Sequence, residues 1–345
     1  MEKVAIIGAS GYTGIELMRL VAMHPRVELV AVSSEQFAGK EVAEVFPFLA
    51  GRITLAFQAL SQHTELEKAD CVFVALPHQK AMEVLPGLLR KGVKVVDLSA
   101  DFRLRDAAVY EQWYKAHTAP GLLADAVYGL SEVYREKIRR AALVANPGCY
   151  PTATLLALIP VITGGLVSAD GIVVDAKSGV SGAGRGAVLT SLYAEVNEGV
   201  KAYKVGNHQH TPEIEQELSL AAQKPIVINF TPHLIPMNRG ILATVYAPLT
   251  GKATQQDVLE CYRSFYAGSG FVRVCTPGTV PATHQVRGSN YCDIGFVIDE
   301  RTKRLIIISA LDNLIKGGAG QAVQNMNIMA GFEENAGINQ PPLFP

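Results

Sequence analysis

Short apolar runs and helical stripes alternate through the first part of the chain. VAIIGA, at residues 4–9, is apolar without a break, which predicts a strand covered on both faces. A stripe at helical spacing follows from about Thr13 to Met23, and VELVAVSS supplies the next strand. ADCVFVALP, VKVVDLSA and AALVA are further short apolar runs, and HQKAMEVLPGLLRKG, lying between two of them, predicts a helix. Strand, helix and strand in repetition call for right-handed crossovers and predict a doubly wound parallel sheet of Rossmann type.

After Tyr150 the pattern changes. GIVVDAKS, PIVINFTPHLI, GILATVYAPL and FVRVC read as strands with longer gaps, and SNYCDIGFVI and RLIIISAL flank Asp299–Lys303 as a hairpin. Helices are expected near 152–163, 185–197, 212–222 and 254–267, and GGAGQAVQNMNIMAG reads as a final helix. The second part is thus expected to be α+β, with a largely antiparallel sheet. The predicted division is 1–148 for a nucleotide-binding domain, 149–312 for a catalytic and substrate domain, and 313–345 for a C-terminal helix and tail that packs on one or the other.

Length and composition agree with two packed domains: 345 residues, 49% hydrophobic and 18% charged. A net charge of -1 gives no basic footprint for nucleic acid and no polybasic run for membranes. The opening MEKVAIIGASGYTG enters a strand at once, so no signal peptide is expected. The longest mostly apolar stretch, from about Pro151 to Val167, is interrupted by Pro160, Gly164 and Gly165 and reads as a core helix rather than a membrane span. Five cysteines at irregular spacing, with no C-x-x-C, argue against a disulfide framework or a structural zinc site and favour a reducing cytoplasm.

Gly8, Gly11 and Gly14 punctuate the turn between the first strand and the first helix. Glycines there let backbone N–H groups approach a pyrophosphate at a helix N-terminus, and Ser10 and Thr13 add hydroxyl donors. The second strand ends at Ser33 and Ser34, with Glu35 one step later. Short hydroxyl side chains accommodate a 2′-phosphate, so the expected cofactor is NADP(H). Pro77 and His78, at the end of another strand, are placed at its border. The glycine-rich stretch Ser178–Arg185 (SGVSGAGR) follows a strand and suits a phosphate, with Arg185 as its cation. Arg103, in LSADFR, either clamps an anion or pairs with Asp101.

Free cysteine ordinarily packs as a small hydrophobe, and Cys71, Cys261, Cys275 and Cys292 sit in apolar strands or an amphipathic helix. Cys149 differs. It follows the turn Asn146-Pro147-Gly148 and precedes Pro151, a residue suited to a first helical turn. A helix N-terminus favours the thiolate. Of eight histidines, His208 and His210 stand out, in a loop just before the N-terminal signal Thr211-Pro212-Glu213. No cysteine or carboxylate cluster accompanies them, so no metal is expected. His24, His63 and His117 lie in segments with no other site-like feature.

GASGYTG, LSADFR, NPGCYPT, SGVSGAGR and GNHQHTPEIEQ, in this order and spacing, resemble the N-acetyl-gamma-glutamyl-phosphate reductase family of arginine biosynthesis. The resemblance extends through DNLIKGGAGQAVQNMN. It implies a semialdehyde-dehydrogenase-like fold, an acyl-phosphate substrate, inorganic phosphate as a product, and a homo-oligomer, dimer or tetramer, in the cytoplasm. It also implies roles: Cys149 as nucleophile; His208 as acid/base, with His210 beside it near the substrate; Ser10, Gly11, Tyr12 and Thr13 at the dinucleotide. Ser178, Gly179, Ser181 and Gly182 fall near cofactor and reacting group, Arg103 at a phosphate, and Asn313 and Gly317 in a late cofactor-contacting segment. The alternatives keep the chemistry on a protected aminoadipyl phosphate or on aspartyl phosphate, or make the chain a thiol hydrolase or a non-catalytic nucleotide sensor.

Overall fold

A computed structural model describes residues 1–62 and 65–344; His63 lies outside the described residues. The chain forms two compact units. Unit 1 comprises Met1–Pro147 and Gly318–Asn339, and unit 2 comprises Gly148–Gly317 and Gln340–Pro345.

Unit 1 is built on strands β1 (Glu2–Ile7), β2 (Val27–Ser33), β3 (Phe57–Gln58), β4 (Cys71–Val74), β5 (Lys94–Asp97), β6 (Ala126–Tyr128) and β7 (Leu143–Ala145). They form one sheet in the order β3-β2-β1-β4-β5-β7-β6, and every pairing is parallel. The continuous apolar runs have the expected cause. Val4–Ile7 and Cys71–Val74 are buried along their whole length, as strands covered on both faces must be. The helices are α1 (Tyr12–Val21), the single turn α2 (Val42–Val45), α3 (Ala81–Arg90), α4 (Ala107–Trp113) and α5 (Ser131–Ile138). The first helix buries Leu17, Met18, Leu20 and Val21, and with them Glu16, whose carboxylate accepts from Arg19 Nε at 2.9 Å.

Unit 2 contains β8 (Val173–Ser178), β9 (Lys201–Ala202), β10 (Asn229–Leu234), β11 (Ile241–Pro248), β12 (Val272–Val274), β13 (Cys292–Asp299) and β14 (Arg304–Leu311). Their order is β12-β13-β14-β11-β8-β10-β9. Four pairings are antiparallel, while β8–β10 and β12–β13 are parallel, so the sheet is mixed. β13 and β14 form the expected hairpin, with Asp299 opposite Arg304. Strict alternation of burial along β11 marks a sheet with one face on the core. The helices are α6 (Cys149–Thr163), the short α7 (Tyr193–Val196), α8 (Thr211–Ala222) and α9 (Gln255–Phe265). The apolar α6 is buried nearly all round, between the sheet and helices α8 and α9. Pro160 inside α6 has no N–H for the Leu156 carbonyl, and the Tyr266 hydroxyl donates to that oxygen instead at 2.6 Å.

Two expectations need correction. The helix begins at Cys149 rather than 152. Residues 185–197 form no continuous helix, only a 3-10 turn at Leu189–Ser191 and the four-residue α7. Among the described side chains of 189–197 the buried one is Val196, and a helix without a buried face lacks what stabilises most helices in water. The final helix, α10 (Gly320–Ala330), belongs to unit 1 and packs on α1, α5 and β5.

Candidate active site

In unit 1 the glycine turn opens at the end of β1. Gly8 has φ +79°, and a Cβ there would lie 2.5 Å from the Ala75 carbonyl oxygen. A Cβ on Gly14 would lie 2.5 Å from the Gly8 oxygen. The fold itself therefore demands these two glycines. Gly11 is different: nothing approaches its Cβ position closer than 3.9 Å, which leaves that backbone open to a close ligand. Gly11 is also the N-cap of α1 and offers no side-chain cap to the helix, so the first N–H groups suit an anion. Tyr12, exposed, and Thr13 begin that helix.

The end of β2 is stitched to this turn. The Gly8 N–H donates to Ser33 Oγ at 3.1 Å, and the hydroxyls of Ser10 and Ser34 lie 2.8 Å apart. Glu35 Oε1 accepts the Leu60 N–H at 2.8 Å, so a backbone donor already engages this carboxylate. The residues that line the ribose edge are hydroxyls, which fits a 2′-phosphate. Pro77 is exposed on the loop after β4. Asp101 holds that loop by accepting from the N–H groups of Gln79 and Met82, and also takes the Tyr110 hydroxyl. The buried Arg103 donates from Nε to the Asn146 carbonyl at 2.8 Å and from Nη2 to the Leu98 carbonyl at 2.9 Å. It thus grips the turn that leads to Cys149. Burial lifts the nearby Asp97 carboxyl to about 7, against hydrogen bonds from Ser99.

In unit 2, Cys149 is the first residue of α6, after the extended N-cap Gly148. Its sulfur is in no disulfide and sits at the positive end of a fifteen-residue helix. Two groups press on this corner. A Cβ on Gly317 would lie 2.8 Å from Cys149 Cβ, and a Cβ on Gly148 would lie 2.5 Å from His210 Nε2. The buried Glu213 accepts the Gly148 N–H through Oε1 at 2.8 Å. The turn before Cys149 is thereby fixed by a hydrogen bond to α8.

His208 stands behind His210. The two rings are 4.8 Å apart, and Tyr150, Tyr203 and Phe230 surround His208 at 5.3–5.6 Å. Its Nδ1 accepts the His210 N–H at 3.1 Å, which puts the ring proton of the neutral form on Nε2. Burial, and then Lys204, push its pKa down to about 4. The Tyr203 hydroxyl donates to the Tyr150 hydroxyl at 3.2 Å, which in turn reaches the His233 carbonyl at 3.3 Å. Burial foremost, with a contribution from the Cys149 sulfur, raises Tyr203 to about 12; burial raises Tyr150 further still. Both phenols therefore remain hydrogen-bond donors.

The SGVSGAGR loop is tied to the same unit. Gly179 N–H donates to the Gly240 carbonyl, Asn313 Nδ2 to Ser181 Oγ at 2.9 Å, and Gly240 N–H to Asn313 Oδ1 at 2.8 Å. A Cβ on Gly182 would meet Ser178 Oγ at 2.9 Å. Arg185 is exposed just beyond. Unit 2 thus gathers Cys149, His208, His210, Ser178, Gly179, Ser181, Gly182, Asn313 and Gly317. Tyr150, Tyr203, Phe230 and Glu213 were missed in the sequence. Glu213 was visible there only as an acid in a first helical turn, and Tyr203 lay five residues before His208. Among the described residues no group of His, Cys, Asp or Glu could hold a metal ion.

Residues 3–141 match the family described as semialdehyde dehydrogenase, NAD binding domain, and residues 149–313 the family described as semialdehyde dehydrogenase, dimerisation domain. Proteins from Geobacter metallireducens and Syntrophobacter fumaroxidans named N-acetyl-gamma-glutamyl-phosphate reductase are 57% and 53% identical, each over the whole of both chains. Among solved structures, aspartate semialdehyde dehydrogenase II of Vibrio cholerae superposes with a TM-score of 0.75 at 18% identity, covering 96% of this chain and 98% of that one. The Candida albicans aspartate semialdehyde dehydrogenase gives 0.71 at 15% identity, covering 97% and 99%. Those two likenesses concern the fold. The full-length identities and the two domain matches go further: this chain belongs to the semialdehyde dehydrogenases, within the N-acetyl-gamma-glutamyl-phosphate reductase family.

Proposed function

We propose that the chain reduces N-acetyl-L-glutamyl 5-phosphate to N-acetyl-L-glutamate 5-semialdehyde, with release of phosphate, through a thioester on Cys149. The observation that carries the reading is the corner where Cys149 heads α6 between Gly317 and the His210 ring. The Cys149 thiolate attacks the acyl carbon, the sulfur–carbon bond forms and the carbon–oxygen bond to phosphate breaks. NADPH, when bound, supplies the hydride that reduces the acyl carbon; Gly11, Tyr12, Thr13, Ser10, Ser33 and Ser34 would hold it. Collapse to the aldehyde returns the sulfur. Pro151 carries no N–H and the Thr152 N–H donates to the Gly148 carbonyl, so the oxyanion falls to the N–H groups of Cys149 and Tyr150 at the head of α6, a device worth about 10²–10³ in rate per donor.

The proton falls to the histidine pair. The family resemblance assigns it to His208, whose buried, weakly basic ring is a poor acceptor near neutral pH. His210 Nε2 faces the nucleophile's turn, so we give His210 the transfer and His208 the task of holding it through the Nδ1 bond. Arg103, Ser181 and Arg185 are read as substrate-side residues. The chain is further read as a cytoplasmic homo-oligomer, dimer or tetramer. Cysteines that are in no disulfide fit that compartment, and no described helix is long and apolar enough to cross a membrane.

The test runs the reaction backwards, with N-acetylglutamate semialdehyde, NADP and phosphate, following NADPH absorbance. Phosphate-dependent turnover is expected, exceeding that with aspartate semialdehyde or a protected aminoadipate semialdehyde. Cys149→Ser is expected to keep the fold and NADP binding and to lose turnover by more than about 10³-fold. Near-normal turnover in that variant would overturn the thioester.

A further inference from the structure

Asp312, the residue after β14, is fully buried and holds the turn that faces the nucleophile. Its Oδ1 accepts the N–H groups of Leu314 and Ile315 at 2.9 and 3.2 Å, and its carbonyl accepts the Gly317 N–H at 2.9 Å. Gly317 is the glycine that leaves no room for a side chain beside Cys149. Asn313, next along, bonds Ser181 and Gly240. Whatever fixes Asp312 therefore fixes one wall of the catalytic corner.

Two groups engage the other oxygen of Asp312. Arg239 Nη1 lies 3.4 Å from Oδ2, which is long, whereas the Gly288 N–H donates to it at 2.8 Å. Gly288 is held in turn by a distant part of the sequence. The Leu343 N–H donates to the Arg287 carbonyl at 2.7 Å, and a Cβ on Gly288 would lie 2.8 Å from Leu343 Cδ1. Phe344 sets its ring edge-on to His284, with centroids 5.1 Å apart. The chain leaves unit 2 at Gly317 and rejoins it at Gln340, so every one of these contacts lies within that unit.

The returning segment adds little to the core. Residues 340–344 form neither helix nor strand, and Leu343 and Phe344 are 64% and 72% exposed. Its contacts fall instead on the loop that grips Asp312. Pro341 and Pro342 precede the contact and stiffen the backbone, which lowers the entropy lost when Leu343 docks. The Leu343 side chain covers Gly288, and a hydrogen bond kept from water is the stronger for it.

We propose that Leu343 is a positioning residue for Cys149: by closing over Gly288 it holds Asp312, and Asp312 holds the Gly317 turn against the nucleophile. The role of Cys149 rests on the proposed function, but one readout needs no substrate. Leu343→Ala and Leu343→Met are compared with the native protein at a temperature where all are folded. In Leu343→Ala, kcat should fall about tenfold with KM little changed, a small displacement costing less than the about 10²-fold of a gross one. Iodoacetamide should label Cys149, followed on its own peptide by mass spectrometry, several-fold more slowly. Leu343→Met, close in volume, should restore both. Combined with Gly317→Ala, the kcat losses should be less than multiplicative, because both changes act on one turn. Native kcat and native labelling in Leu343→Ala overturn the proposal. So does a lowered melting temperature with both rates unmoved, which is the mark of a merely structural contact. Losses that multiply overturn the route through Asp312 and Gly317. If Leu343→Ala does not fold, Leu343→Val and Phe344→Ala take its place, and unmoved rates in both overturn the proposal. A native protein inert towards every semialdehyde removes the proposed function, and the labelling series still decides the place of Leu343.

Discussion

At the scale of the residue, burial sets the behaviour of the histidines. His208 has a folded pKa near 4 against an ordinary value of 6.5. Below pH 6.5 the unfolded chain therefore takes up a proton that the folded chain refuses. Stability from this group is complete above pH 6.5 and declines as pH falls towards 4, by on the order of 3 kcal/mol in all. His208→Gln is expected to flatten that decline in urea midpoints measured from pH 7 to 4; an unchanged slope would contradict the buried neutral ring. The placement of Cys149 at a helix head was legible in the sequence because its signals are local: Asn-Pro-Gly before it, proline after it, an apolar helix beyond. The surroundings of His208 were not: Tyr150, Tyr203 and Phe230, which enclose it, come from separate parts of the chain.

At the scale of the element, α6 and the turn Ile315–Ala319 meet at one point. The helix presents Cys149 as its first residue, and the turn presents Gly317 with no room for a side chain. Gly317→Ala must push either the sulfur or the turn by several tenths of an ångström. A misplaced reacting atom can cost about 10²-fold in rate, so kcat should fall by one to two orders of magnitude while NADP affinity, measured by fluorescence, changes little. Unchanged kcat would show that the turn yields freely. Long elements with a clear period were legible, including all of the central strands of both sheets. Of the two- and three-residue strands, β7 and β12 were legible because each lies in an apolar run, AALVA and FVRVC; β3, β6 and β9 were not, because no such run marks them and a period cannot be seen in so few positions. The stretch 185–197 carries helix-like spacing, yet of its described large apolar side chains only Val196 is buried.

At the scale of the whole molecule, the sequence order and the structural order differ. α10 follows unit 2 in the chain but completes unit 1, where Asn325 donates to the Gly129 carbonyl and to Asn146 Oδ1, and Lys94 donates to the Met329 carbonyl. Val323, Met326, Ile328 and Met329 are buried there, worth about 6–12 kcal/mol together on ordinary transfer values. That is comparable with the whole stability of a typical domain, about 5–15 kcal/mol. A chain ending at Gly317 is accordingly expected to lose cooperative thermal unfolding of unit 1 and all NADP binding; a shortened chain that still bound NADP tightly would contradict this. The last helix was legible as a helix, but its destination was not, since an all-buried stretch of Gln, Asn and Met shows no face that names a partner. The same return has a consequence for synthesis. A ribosome releases the nucleotide-binding half first, and that half waits, unfinished, while about 170 residues of unit 2 are made. The nascent Rossmann sheet emerges with the seat of α10 uncovered, and the unit begun first cannot be completed until the chain has been made past Gly317. During that interval the open apolar flank is the kind of surface that makes a folding intermediate prone to aggregate.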